Sequence, residues 1–258
     1  MLILIAESKT MTPCADAVSP DTVAAHTPAF DAEAGEIMES LRGASAEELA
    51  ADAKLSLPLG HRLKEMIYEF PNKQSGGRAI DSFTGVVFKA FDYNSLTPLE
   101  KARADERVRL ISSLYGWLRP DDIIKPYRFD FTTRLAPEGK SFAAYWAPQV
   151  TAALLRRLEE TGETDVLNLL PADAARCIDL RAIAPHARVW RADFKEILPG
   201  GKTRTPNAGR LKTLRGELLR QIITDDITTP EGLTGVSSPH FAAADTPAPD
   251  GTITFQTV

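Results

Sequence analysis

Residues 2–5 read LILI, four apolar positions in a row at the head of the chain, and the polar ESKT follows them. A strand with one wet face alternates apolar and polar side chains. An unbroken apolar run belongs to a strand buried on both faces, as in a parallel sheet covered by helices. Parallel strands cannot be joined by a tight turn, so such a start requires crossover helices later in the chain.

The rest of the sequence supplies them. DAEAGEIMESLRG and SAEELAADAKL read as helices, with Ser45 capping the second and Glu48 as its capping-box partner. PLGHRLKEMIYEF sets Leu59, Leu63, Met66, Ile67 and Phe70 at helical spacing ahead of Pro71. NKQSGGR reads as a loop, and SFTGVVFKAFDY, rich in β-branched and aromatic residues, as a strand around 85–89. Thr97 followed by Pro98 is a helix start. RVRLISSLYG fits two patterns: Val108, Ile111 and Tyr115 continue a helical stripe from Ala104, whereas Val108, Leu110 and Ser112 alternate as in a strand. The strand near 108–113 is the reading taken. FAAYWAPQVTAALLRRLEETG is helical despite Pro148 and ends at Gly162; TDVLNLLP opens a strand at Asp165; ARVWRADF and TITFQ are further strands. GRLKTLRGELLRQIITD is an amphipathic helix with Leu211, Leu214, Leu218 and Ile222 on its apolar side. No repeat or linker divides the chain. The expected fold is therefore α/β, a single domain over 1–258 with a mixed β-sheet flanked by helices.

With 258 residues, 43% hydrophobic and 25% charged, the chain has the composition of an ordinary soluble protein with a sizeable core. Cys14 and Cys177 are too few for a disulfide framework and belong to no metal-spaced cluster, which points to a reducing cytoplasm. MLILIAESKT lacks a charged leader, and its apolar run is too short for a signal peptide or membrane span. No membrane association is expected.

Catalytic signatures are sparse. Ser8 beside Lys9 suggests a nucleophile and base, but neighbours on an extended chain point to opposite faces. His26, His61, His186 and His240 are scattered without metal spacing, and neither GxGxxG nor a phosphate-loop lysine occurs. No catalytic residue, metal site or cofactor is read.

Charge is more informative. The net charge is -5, yet its distribution is uneven. Residues 15–56 hold nine acidic and two basic side chains, 188–220 nine basic and three acidic, and 221–258 five acidic and none basic. A locally basic surface on an acidic protein follows. Lys212 and Arg215, three apart on one helix, share a face, and Lys202 and Arg204 lie in the glycine-rich stretch before it. In LYGWLRP the glycine among apolar residues permits a tight hairpin of the kind that, in helix-hairpin-helix modules, turns backbone N–H groups to phosphates. Arg119, Lys125 and Arg128 add charge beside it. The alternative is that Tyr115, Trp117, Leu118 and Tyr127 are core and the cations only flank them.

MLILIAESKT, then LISSLYGWLRPDDIIKPYRFDFTTRL, VLNLL, LKTLRG and LTG, in that order, resemble the YaaA peroxide-stress family of bacteria. The resemblance spans nearly the whole chain, and LYGxLRP followed by PYR is its specific part. It implies a cytoplasmic α/β protein of the hydrogen peroxide response, without established enzymatic activity, that limits unincorporated iron. It also implies binding to double-stranded or branched DNA through a helix-hairpin-helix-like element and a positively charged cleft. Matching positions are Lys9, Thr10, Tyr115, Gly116, Leu118, Arg119, Pro120, Tyr127, Arg128, Arg134, Asn168, Lys212, Arg215 and Gly216. The DNA contacts expected are Lys9, Gly116, Arg119, Lys125, Tyr127, Arg128, Arg134, Lys212 and Arg215. The chain departs from the family at AESKT, where SPAKT is common, and at LPADAAR, where a serine, an acidic residue and an aromatic are usual. The second expectation is an enzyme acting on a phosphorylated or nucleotide substrate, with Lys9, Tyr115, Tyr127 and Arg128 around its pocket.

Overall fold

The computed structural model describes residues 1–12, 26–71, 76–244, 248 and 250–257. Cys14 and most of the NKQSGGR loop lie outside them. The strands are β1 Leu2–Ala6, β2 Gly77–Arg78, β3 Val108–Ser112, β4 Gly116–Leu118, β5 Ile123–Ile124, β6 Asp165–Asn168, β7 Arg188–Ile197, β8 Thr203–Arg204, β9 Ser237–Ser238, β10 Phe241–Ala243 and β11 Thr252–Thr257. The helices are α1 Asp31–Ser40, α2 Ala46–Asp52, α3 Leu57–Glu69, α4 Ala79–Ser82, α5 Val86–Phe91, α6 Pro98–Arg107, α7 Phe142–Thr161, α8 Ala172–Ala175, α9 Leu180–Ile183 and α10 Ala208–Thr224.

The main sheet runs in the order β4-β3-β1-β6-β7-β11-β10-β9, with β8 paired to β7. Its centre is parallel: β1 pairs with β3 on one side and β6 on the other, β6 pairs with β7, and β7 with β11. The outer partners β4, β8, β9 and β10 are antiparallel, so the sheet is mixed. A separate antiparallel pair joins β2 and β5. The LILI strand lies in the middle, and Leu2 to Ile5 are all buried, as a strand covered on both faces must be. Helix and sheet side chains form one continuous apolar cluster from Met1 to Phe255. Among the described residues no helix is long and apolar enough to cross a membrane.

Start signals on the helices hold. Ser45 and Thr97 each form a capping box, with Glu48 and Glu100. The ambiguous segment is strand β3. Two expectations fail. Residues 85–89 are not a strand but the start of α5: Val86 is exposed while Phe88 and Phe91, three apart, are buried in a helical stripe. Gly216 of α10 sets that helix close to α5, since a Cβ there would lie 2.3 Å from the Val87 carbonyl oxygen. Packing against α10 overrides the local β preference of VVF.

The second failure is the helix-hairpin-helix element. Gly116, at φ +69°, closes a β-hairpin in which it opposes Ser112, and strands β3 and β4 flank it. A Cβ at 116 would sit 2.7 Å from Trp146, so only glycine fits. The hairpin amides are used inside the protein: Ser112 Oγ accepts from the amides of Leu114 (3.2 Å) and Tyr115 (3.0 Å). Trp146 Nε1 donates to the Ser113 carbonyl at 2.8 Å. These tip amides are spent within the fold and do not face phosphates.

Candidate functional site

In an open parallel sheet, ligands gather beyond the carboxyl ends of the strands, where chain order reverses. Here that point lies between β1 and β6, because the chain runs from β1 to β3 on one side and then crosses to β6 on the other. Glu7, Ser8 and Lys9 leave β1 there, Ser113 leaves β3, and Asn168 ends β6.

Glu7 is the most constrained of them. Its amide donates to the Ile111 carbonyl at 2.9 Å, extending the ladder past β1. Its carboxylate accepts the Ser113 amide at 2.9 Å, the Ser113 hydroxyl at 2.5 Å, and the Tyr127 hydroxyl. Tyr127 in turn lies 2.6 Å from Ser112 Oγ. Burial pushes the Glu7 carboxyl up to about 7, against the pull of the hydrogen bonds from Ser113 and Tyr127. Burial and the neighbouring Glu7 raise the Tyr127 phenol well above its ordinary value. Near neutral pH this pair can hold or release one proton.

A second group forms around Lys9. Its ammonium pairs with Asp130, and Arg128 donates from Nη1 to the Lys9 carbonyl at 2.8 Å. Asp130 also accepts from the Thr132 amide and hydroxyl, at 2.9 and 2.8 Å. Arg128 Nε is buried without a hydrogen-bond partner among the described residues. These residues, with Asp52, Lys54 and Thr133, border a hollow of about 320 Å³. Ser8 turns away from Lys9: its Oγ lies 2.9 Å from Thr10 Oγ1, and it packs where a Cβ on Gly85 would clash at 2.3 Å. Ser8 and Lys9 therefore do not form a nucleophile–base pair.

The remaining expected residues scatter. Arg119 is bound by Asp121 through Nε at 2.8 Å and Nη2 at 3.0 Å. Lys125 reaches the Phe70 carbonyl and lies 4.9 Å over the Phe70 ring. Tyr115 and Tyr127 are buried. Tyr115 OH accepts the Lys125 amide at 3.1 Å. Arg134 and Lys212 are exposed. Arg215 is half-buried and borders a second cavity with Asn168. The structure thus brings Lys9 and Arg128 together, and separately Asn168 and Arg215, but forms no single row of cations. Among the described residues no three His, Cys, Asp or Glu side chains cluster as metal ligands. Sequence reasoning misses Glu7, Ser113 and Asp130 as site residues; the available signal is a carboxylate immediately after a fully apolar strand.

A family model described as "Peroxide stress protein YaaA" matches residues 1–246. The chain belongs to this family. A UPF0246 protein of Parabacteroides distasonis is 31% identical over 235 residues, covering 90% of each chain. UPF0246 proteins of Burkholderia orbicola and Burkholderia mallei are 29% and 28% identical over 268 and 269 residues, covering 99% of this chain and 98% of theirs. The YaaA match thus includes both the Glu7 network and the Lys9–Arg128 group.

Proposed function

We propose that this YaaA-family chain serves the peroxide stress response by binding double-stranded or branched DNA through its phosphates, without reading base sequence and without catalysis. The observation that carries the reading is the meeting of Lys9 and Arg128, 119 positions apart, with Arg128 Nε unpartnered beside a hollow. A phosphate suits two cations beside a concave surface, taking the place of Asp130 on the exposed Lys9, and Arg134 and Lys212 are exposed cations elsewhere that can each meet a further phosphate. Arg119, Lys125 and Tyr127 leave the set of contacts, because each is engaged within the fold. Gly116 leaves it with the hairpin amides, and Arg215 leaves it because it borders the separate cavity beside Asn168. The continuous core supports treating 1–258 as one acting unit.

Gel shifts at low salt test the reading. Lys9→Gln with Arg128→Gln should weaken binding to unrelated duplexes by a similar factor and lower the salt slope by about 1.8, at roughly 0.9 for each phosphate no longer neutralised. Absence of binding at low salt, or affinity unchanged in the double variant, overturns it.

The Glu7–Tyr127 pair favours a second reading, acid–base chemistry on a phosphorylated substrate held by Lys9 and Arg128. Tyr115, expected at that pocket, is instead buried with its hydroxyl on the Lys125 amide. A thermal-shift screen in which no nucleotide stabilises the protein counts against this reading.

A further inference from the structure

Beyond the end of β6 lies a cavity of about 640 Å³, bordered by β6, β7, α10 and the start of β11, and sharing no lining residue with the Lys9–Arg128 hollow. Cavities of a few hundred cubic ångströms are the usual size for small-molecule sites. Two of its side chains carry unused donors. Asn168 is only 8% exposed; its Oδ1 accepts the Leu170 amide at 2.9 Å, and its Nδ2 has no partner among the described residues. Arg215 is half-buried and makes no hydrogen bond or ion pair among them, with Asp173 the one charge that acts on it.

The position of Arg215 is imposed by α10. Leu214, Leu218 and Leu219 turn into the core, and Gly216 seats the helix against α5, which leaves Arg215 on the cavity bordered by β6 and β7. A guanidinium half withdrawn from water with no carboxylate paired to it keeps its donors free at the cavity wall, and the complementary ligand for such a fork is an anion. The other charges in the cavity are already matched. Arg191 reaches Asp250 at 3.5 Å and Thr252 Oγ1 at 3.1 Å, and Asp193 pairs with Lys195 at 3.0 Å. An anion entering the cavity therefore meets Arg215 and Asn168, while Asp193 and Asp250 offer acceptors for hydroxyls.

We propose that this cavity binds a small phosphate monoester on a hydroxylated skeleton, its phosphate on the Arg215 fork and Asn168 Nδ2, its hydroxyls toward Asp193 and Asp250. A guanidinium fork plus an amide presents at least three donors, which suits the three terminal oxygens of a phosphate better than the two of a carboxylate. The site uses neither Lys9 nor Arg128, so it goes beyond the DNA reading and does not depend on it.

Calorimetry and thermal shift on the full chain test the proposal, with ribose 5-phosphate, inorganic phosphate, ribose and gluconate as probes. Ribose 5-phosphate at a hundredfold excess over its Kd should raise the Tm by about 5–10 °C. Phosphate should do so less, and ribose not at all. In Arg215→Met the shift should vanish while the unliganded Tm stays level, because the half-buried side chain has no hydrogen bond or ion pair to lose; gel shifts with DNA should match the wild type. Asn168→Asp, isosteric but repelling the anion, should lose the shift too and serves if Arg215→Met does not fold. The proposal is overturned if ribose 5-phosphate gives no shift at millimolar concentration, if gluconate equals it, or if the folded variant keeps the shift. Loss of DNA binding together with ligand binding in the same variant also overturns it, since the cavity would then be part of the DNA surface.

Discussion

Glu7 shows how one residue joins the fold to its chemistry. Its carboxyl titrates near 7 instead of 4.5 because it is buried, so the folded chain binds a proton there that the unfolded chain releases. The sign follows: this contribution is fully present below about pH 4.5, declines as pH rises, and is lost by about pH 7. Burial raises Asp105 and Asp122 in the same direction, to about 6 and about 7. Glu7→Gln resembles the protonated form at every pH and leaves those two carboxyls alone. The Tm of Glu7→Gln relative to wild type should therefore rise between about pH 5 and pH 8. Thermal unfolding at several pH values checks this, and a flat difference would show that Glu7 does not titrate in that window. Glu7→Ala, which strands the Ser113 and Tyr127 donors, should cost about 1–3 kcal/mol. The sequence places Glu7 just past a buried strand but not among hydroxyl donors, because Ser112 and Ser113 reach it through the parallel pairing of β1 with β3 and Tyr127 through the fold of the segment after β5. For the same reason PYR reads as a cationic surface motif, whereas Tyr127 turns inward to Glu7 and Arg128 outward.

Elements were legible where a local chemical signal set them. The capping boxes at Ser45 and Thr97 and the unbroken LILI need no tertiary partner to be read. VVFKAF is different, since six residues, five of them apolar, fit both periods and α10 decides between them. Gly216 is the residue through which α10 does so. Gly216→Ala drives a methyl toward the Val87 carbonyl at 2.3 Å and Ala90 Cβ at 2.7 Å, and backbone cannot yield as a flexible side chain can. A loss of about 1–3 kcal/mol is expected, with the packing of α5 on α10 loosened. Gly209, on the same helix, is the control. A Cβ there meets only Asn207 Oδ1 at 3.4 Å, so Gly209→Ala should be neutral or stabilising by up to about 1 kcal/mol. Denaturant unfolding of both variants tests the assignment, and equal effects would contradict it.

At the scale of the molecule, net charge works against the proposed DNA contact. The chain carries -5, so long-range attraction to a polyanion is weak and affinity must come from a few close cations. The sequence displays the basic run at 188–220 but not its internal pairing. Arg188 is held by Asp165 at 2.8 Å, Arg191 by Asp250, and Arg204 by Glu196 at 2.6 Å. Arg220 spends Nη1 on the carbonyls of Phe91 and Asp92. A run of like charge along the chain therefore overstates what the surface offers, because neighbouring strands carry the opposite sign. With Lys9, Arg128, Arg134 and Lys212 as contacts, log affinity should fall against log salt with a slope of about -3 to -4. Binding should then weaken roughly 60- to 250-fold between about 50 and 200 mM salt, equally for unrelated duplexes. A salt titration by fluorescence anisotropy on two sequences measures both quantities. A slope beyond about -8 would require the paired arginines of β7 and β8 to break from their carboxylates, and a slope near zero would remove phosphate contact as the basis of binding.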